Sequence, residues 1–210
     1  MTEIKICGLT RVEDVGLACE LGAAYVGFNF SAISKRRVAL PDGRKLSDAA
    51  APGVARVGVF VGESYETIVE ACQAARLDLV QLHRELVPED LERVPLPLIA
   101  VVRMGEGGPG EPSGDVLRSC RAILFDAALP GSPGGTGTVF DWSLLEGRQF
   151  PLPCFLAGGL TPENVGDAVA RVRPAGVDVA SGVESAPGVK DPGRMAAFFD
   201  AVRRADETGQ

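Results

Sequence analysis

The sequence predicts a (βα)8 barrel, an α/β fold forming one domain over residues 1–210, and three observations support this. Eight short β-prone runs recur along the chain with helix-like segments between them, the alternation of an α/β protein. Most runs are nearly continuous in apolar residues, which suits strands covered on both faces of a parallel sheet. Glycine-rich turns follow the last two runs, where such barrels build a phosphate site. An open doubly wound sheet shares the alternation and is the competing architecture; the paired glycine turns favour the barrel.

The β-prone runs are 4–7, 25–30, 56–61, 79–83, 98–103, 122–126, 154–157 and 177–180. Between the first two, segment 11–21 places Val12, Val15, Ala18, Cys19 and Leu21 near a 3.6-residue period, so it is expected to be helical. Segment 65–75 does the same with Ile68, Val69, Cys72 and Ala75. Thr161-Pro162-Glu163 and Asp191-Pro192 each set a capping side chain before a proline, a pattern that opens helices. Stretch 104–115 is rich in Gly and Pro and falls between a strand and a weak helix, so it is a loop and not a domain boundary. The polar tail, 205–210, is expected to fray.

Composition narrows the function. With 210 residues at 46% hydrophobic, the chain can bury one sizeable core. Its longest apolar run, 98–102, is far below the ~18 residues of a spanning helix, so no membrane partner is expected. An acidic residue at Glu3 opposes a signal peptide, and the expected location is cytoplasmic. The formal net charge of −7 argues against nucleic acid. A small phosphorylated ligand remains compatible, because backbone N–H groups can hold it without net positive charge. The five cysteines are odd in number, scattered and without a Cys-x-x-Cys pair, so neither a disulfide framework nor a zinc ribbon fits. With His83 the lone histidine, a histidine-rich metal site is not expected.

In a barrel, function belongs at the C-terminal ends of the strands. Cys7 ends the first run and enters a turn toward a helix. A thiol near a helix N-terminus favours thiolate and is usable as a base or nucleophile; a small buried hydrophobe is the competing reading. Cys19, Cys72, Cys120 and Cys154 read as structural. Asp126 ends an apolar strand, where partial desolvation raises a carboxyl pKa and suits it to donate a proton; a turn or cap residue is the alternative. The loop after it, 127–139, carries Gly134-Gly135-Thr136-Gly137 and reads as a mobile cover. Gly158-Gly159 and Ser181-Gly182, after the last two strands, are the expected phosphate site. The basic cluster Ser34-Lys35-Arg36-Arg37 is the one compact group able to hold a carboxylate. His83 and Asp178 each either meet ligand or make a structural hydrogen bond.

These residues resemble the phosphoribosylanthranilate isomerase family. The likeness runs nearly end to end, through Lys5-Ile6-Cys7-Gly8-Leu9-Thr10, Gly27-Phe28-Asn29-Phe30, Val57-Gly58-Val59-Phe60 and Val80-Gln81-Leu82-His83. It continues through Gly134-Gly135-Thr136-Gly137 with Phe140-Asp141-Trp142, Leu156 to Val165, and Gly176 to Glu184. The resemblance implies a barrel catalysing an Amadori rearrangement of N-(5-phosphoribosyl)anthranilate in tryptophan biosynthesis, with no cofactor and no metal. It implies that Cys7 is the general base, Asp126 the general acid, and Arg36 the anchor of the anthranilate carboxylate, with Arg37 in competing register. Lys35 stands where the family usually has Pro. Arg84 replaces the usual Gly, which puts the local turn in question and would bring another cation near the rim. The related histidine-pathway isomerase is the nearest rival, but it uses Asp where this chain has Cys7. A non-catalytic barrel that binds a sugar phosphate is the rival of another class. Monomer and homodimer both fit.

Overall fold

The computed structural model describes residues 1–105, 108–109, 114–127 and 140–208. Its centre is a closed ring of eight parallel strands: β1 (Glu3–Ile6), β2 (Tyr25–Asn29), β3 (Ala55–Phe60), β4 (Leu79–Leu82), β5 (Leu98–Gly105), β6 (Ala122–Ala127), β7 (Cys154–Leu156) and β8 (Gly176–Val179). Pairing runs β4-β3-β2-β1-β8-β7-β6-β5, and a β4–β5 ladder closes the ring. Gly108 and Pro109 fold back antiparallel on the end of β5. The fold is the (βα)8 TIM barrel that the run spacing predicts, with most strand ends within a residue of expectation.

Outside the ring lie α1 (Val12–Leu21), α2 (Leu40–Asp48), α3 (Tyr65–Ala74), α4 (Pro88–Arg93), α5 (Gly114–Arg118), α6 (Val165–Val172) and α7 (Pro192–Thr208). The longer helices turn apolar stripes to the sheet. In α7 the buried residues Met195, Phe198, Phe199, Val202 and Ala205 recur at helical spacing. The Ser64 side chain accepts from the Thr67 amide at the start of α3, and Asp191 does so from Arg194 at the start of α7. Between β6 and β7 the described residues hold only a 3-10 turn, Trp142–Leu144.

Three expectations fail locally. The helix expected from Thr161 begins at Val165, because Asn164 turns its side chain back to accept from the Thr161 amide and donate to the Gly159 carbonyl. The segment is thereby a bracket under the Gly158-Gly159 turn. The tail does not fray at Ala205. Helix α7 continues to Thr208, Ala205 is buried, and Asp206 accepts from both the amide and hydroxyl of Thr2. The stretch 104–115, expected to be a loop, is not one throughout: 104–105 end β5, 108–109 pair back on it and 114–115 open α5, while 106–107, 110–113 and the Gly134–Gly137 stretch, expected to act as a cover, lie outside the described residues. All five cysteines are free.

The interior of the ring decides where a ligand fits. Side chains alternate in and out along a strand. Tyr25, Val57, Leu79, Ile99, Leu124 and Phe155 point inward and form a dry plug, with Tyr25 and Phe155 meeting edge to face at 5.3 Å between ring centres. Two residues further along the same strands come Val59, Gln81, Asp126 and Ala157, which line a cavity of about 510 Å³ above that plug. The period of two thus converts a packed floor into a polar chamber within a single repeat.

Candidate active site

The cavity opens at the C-terminal ends of the strands and is lined by residues of β2, β3, β4, β6 and β8 and of the loops that follow several strands. Cys7, Arg36, His83, Asp126, Gly158, Gly159, Asp178 and Ser181 all reach it. Gly182 does not; its backbone passes so close to the Leu160 carbonyl that only glycine fits there, which lets the two glycine turns approach each other. Arg36 lines the cavity, while Arg37 is exposed and off it.

Cys7 follows β1 directly, and α1 begins only at Val12, so the expected helix N-terminus is not beside the thiol. Its cationic neighbours are two buried lysines instead. Burial pushes the Cys7 thiol up, and the charges of Lys5 and Lys190 oppose that rise without cancelling it. The folded environment thus favours the thiol form of Cys7 rather than the thiolate anticipated from a helix dipole. Lys5 sits at this depth because its register partner on β8 is Asp178; the two side chains meet at 2.8 Å, both buried. Burial alone would lower Lys5, but Asp178 and Cys7 hold it above its ordinary value.

Asp126, 7% exposed, enters from β6. Burial, then the charge of Asp178, pushes its carboxyl up to about 6, as expected for a desolvated strand end. Gly158 presses its backbone against this group. A Cβ there would stand 2.4 Å from the Ala127 amide nitrogen and 2.9 Å from Asp126 Oδ1, and its φ of +79° is in the left-handed region. Only glycine lets the β7 turn come so close.

His83 lies 3.9 Å from Asp126 through Nδ1, and its Nε2 is 2.7 Å from the Gln81 amide nitrogen. Burial, helped by the charges of Lys5 and Arg103, pushes His83 down to about 4, so it is neutral and makes no ion pair. With the amide donating to Nε2, the ring proton sits on Nδ1. Among the described residues that nitrogen and Gln81 Oε1 have no hydrogen-bond partner, and both residues line the cavity.

Arg36 is gripped by Glu184 through two hydrogen bonds, Nε at 2.8 Å and Nη2 at 2.7 Å. Its stem crosses the turn after Cys7, where Gly8 has φ +70° and a Cβ would stand 2.4 Å from Arg36 Cδ. Arg84 does not supply a rim cation. It is paired with Asp90, which also accepts from the Val87 amide and the Tyr65 hydroxyl, and so it stabilises the loop after β4 from outside the cavity. Sequence reasoning passes over Lys5, Gln81, Glu184 and Lys190. The first two carry a signal, since each is a polar residue set within a short, otherwise apolar run; the last two sit in a hairpin whose pairing no pattern announces.

The N-(5'phosphoribosyl)anthranilate (PRA) isomerase family profile matches residues 4–201. An N-(5'-phosphoribosyl)anthranilate isomerase of Pseudomonas putida is 43% identical over 201 residues, which span 96% of this chain and 97% of that one. The crystal structure of phosphoribosyl anthranilate isomerase from Thermotoga maritima superimposes with a TM-score of 0.84 at 37% identity, over 97% of this chain and 100% of that one. Another, in complex with reduced 1-(o-carboxyphenylamino)-1-deoxyribulose 5-phosphate, gives a TM-score of 0.81 at 36% identity over 97% of this chain and 100% of that one. A barrel with these side chains at its mouth and this likeness over nearly its whole length belongs to the N-(5'-phosphoribosyl)anthranilate isomerase family.

Proposed function

We propose that the cavity carries out the family's rearrangement of N-(5-phosphoribosyl)anthranilate to 1-(2-carboxyphenylamino)-1-deoxyribulose 5-phosphate, with Asp126 as general acid and Cys7 as general base. One observation carries this reading: Cys7 and Asp126 line the same cavity from strands three places apart in a ring of eight, close to opposite sides. A substrate lying between them meets an acid on one side and a base on the other.

The proton and electron count is closed. Asp126, protonated, gives its proton to the ring oxygen as the C1–O bond breaks, and the nitrogen lone pair forms the C1=N bond of a Schiff base. Cys7, as thiolate, takes the C2 proton, and the electrons of that bond pass through C1 to nitrogen, leaving an enolamine. Transfer of the enol proton to C1 then gives the ketone. These transfers leave Asp126 ionised and a proton on Cys7; return of that proton from the sulfur to the carboxyl restores the starting form, and since the substrate is only isomerised the route calls for no redox partner.

The remaining residues bind. Gly158, Gly159 and Ser181 offer the phosphate a turn with closely approachable backbone, braced by Asn164. Gly182 serves this subsite by leaving room for the two turns to lie side by side. Arg36 takes the anthranilate carboxylate, while the unpartnered His83 Nδ1 proton and the Asp178 carboxylate are suited to sugar hydroxyls. The cavity, about 510 Å³, is within the ordinary range for a ligand of this size. The test is consumption of freshly made phosphoribosylanthranilate, followed by the loss of its fluorescence. Turnover by the wild-type chain that disappears with Asp126→Asn supports the reading, and binding of a product analogue with no turnover overturns it.

A further inference from the structure

The carboxylate reading of Arg36 leaves a physical difficulty. A guanidinium on a long, flexible stem does not by itself hold one direction at a solvent-facing rim, and fixing it costs rotamer entropy. The chain solves this with a buried carboxylate that the reaction does not use. Glu184 occupies the Nε and Nη2 edge of Arg36, and its Oε1 also accepts from Lys190 Nζ at 2.9 Å.

Lys190 makes that arrangement rigid. It lies across from Glu184 in the two-stranded hairpin of Glu184–Ala186 with Val189–Lys190, so strand register brings the two side chains together. Its ammonium is buried, and its three protons go to Glu184, to the Cys7 carbonyl at 2.6 Å and to the Ala180 carbonyl at 3.0 Å. The hairpin is itself pinned to the β1 loop and α1, by the Thr10 hydroxyl on the Gly188 carbonyl and by Asp14 on the Lys190 amide. Glu184 is thus fixed from behind before it touches Arg36. Arg36, Glu184 and Lys190 together carry one net positive charge, so the anchor keeps its attraction for an anion. Of the five N–H donors of the guanidinium, two are taken, and the Nη1–Nη2 edge remains to grip a second carboxylate in the same two-pronged way.

We infer that Glu184, backed by Lys190, is a positioning residue that aims Arg36 at the substrate carboxylate and so sets the preference for a carboxylated aryl amine. This rests on the reading of Arg36 as the carboxylate anchor. It applies to binding of the aryl end and leaves the proton transfers to Cys7 and Asp126.

The experiment compares kcat/KM for N-(5-phosphoribosyl)anthranilate with that for N-(5-phosphoribosyl)aniline, which lacks the carboxylate, in wild type, Arg36→Ala, Glu184→Gln and the double variant. Losing a charged hydrogen-bonded contact corresponds to roughly a tenfold to hundredfold change, so Glu184→Gln should lower the preference about tenfold or more, mainly through KM. The double variant should be no worse than Arg36→Ala alone. Inhibition by inorganic phosphate should stay within about twofold of wild type in Glu184→Gln, because that subsite is left intact. If Arg36→Ala abolishes the preference and Glu184→Gln keeps it, the inference fails while the anchor reading stands. If the wild type has no preference, or Arg36→Ala retains it, the anchor reading fails and takes the inference with it. Loss of phosphate inhibition together with the preference would mean collapse of the whole rim and also overturns it. Should Glu184→Gln not fold, Glu184→Asp is measured instead. It keeps the charge but falls one methylene short of bracketing Arg36, and an undiminished preference would refute the proposal.

Discussion

Replacing Asp126 with asparagine should make the protein more stable, but only at pH values above the ordinary carboxylate range. The group is 7% exposed, and burial followed by the charge of Asp178 moves it from an ordinary 3.8 up to about 6. A displacement of about two pH units corresponds to about 3 kcal/mol at full ionisation. The sign follows from a folded pKa that is raised. Below about pH 4, folded and unfolded chains both carry the neutral acid, and the isosteric amide makes little difference. As pH rises through 6 the folded chain must ionise a carboxyl it has desolvated, so the wild type loses that stability and the amide does not. Urea unfolding at pH 4, 6 and 8 measures this. With a slope of about 1–3 kcal/mol/M, the Asp126→Asn variant should unfold about 1 M or more later at pH 8, with the difference fading toward pH 4. A gap independent of pH, or a less stable variant at pH 8, would refute the desolvation argument. The same variant should be catalytically crippled, since the group that destabilises the fold is the one the proposed mechanism needs.

Cys7→Ser and Asp126→Asn should each lower kcat by roughly 10²–10⁴-fold, the usual worth of one positioned acid or base, and steady-state kinetics on the purified variants checks this. Arg36→Ala should raise KM roughly tenfold to hundredfold with a smaller effect on kcat, whereas Arg37→Ala, exposed and off the cavity, should stay within about twofold of wild type. A KM effect confined to Arg37→Ala would move the anchor one residue along.

The barrel is legible because its strands are covered on both faces and therefore read as apolar runs that no amphipathic helix resembles. The chemistry at the mouth is legible where a polar residue ends such a run, as with Asp126 and His83. What the runs hide is register. Nothing in Glu3–Ile6 or Gly176–Val179 taken separately says that Lys5 faces Asp178; the pairing exists only once the ring closes. The sequence misleads about the environment of Cys7 for that reason, since its cations arrive from its own strand and from a hairpin more than 180 residues later rather than from the helix that follows it. Thr161 misleads because a cap followed by proline describes a turn as well as a helix start, and here Asn164 claims the Thr161 amide first.

The proposed catalytic pair also has to solve a problem of proton count. The proposed mechanism needs Asp126 protonated and Cys7 ionised, yet burial sets Asp126 at about 6 and lifts Cys7 above the ordinary thiol range. Between those values the pair holds one proton, mostly on sulfur. The working arrangement, with that proton on the carboxyl, is a minor tautomer of the same charge state. Two tautomers that differ by no net proton keep a ratio independent of pH, so kcat/KM should form a plateau rather than follow either group alone. Its acid limb should have a midpoint near pH 6, where a second proton fills Asp126 and leaves the sulfur no way to ionise at fixed charge. Its basic limb should lie in the range of Cys7, where the last proton is lost. Asp126→Asn should erase the limb near 6, and what activity remains should rise with pH as the thiol ionises. A wild-type profile that instead falls as pH passes upward through 6 would mean that Cys7 ionises before Asp126, and that the lysines around the sulfur outweigh its burial.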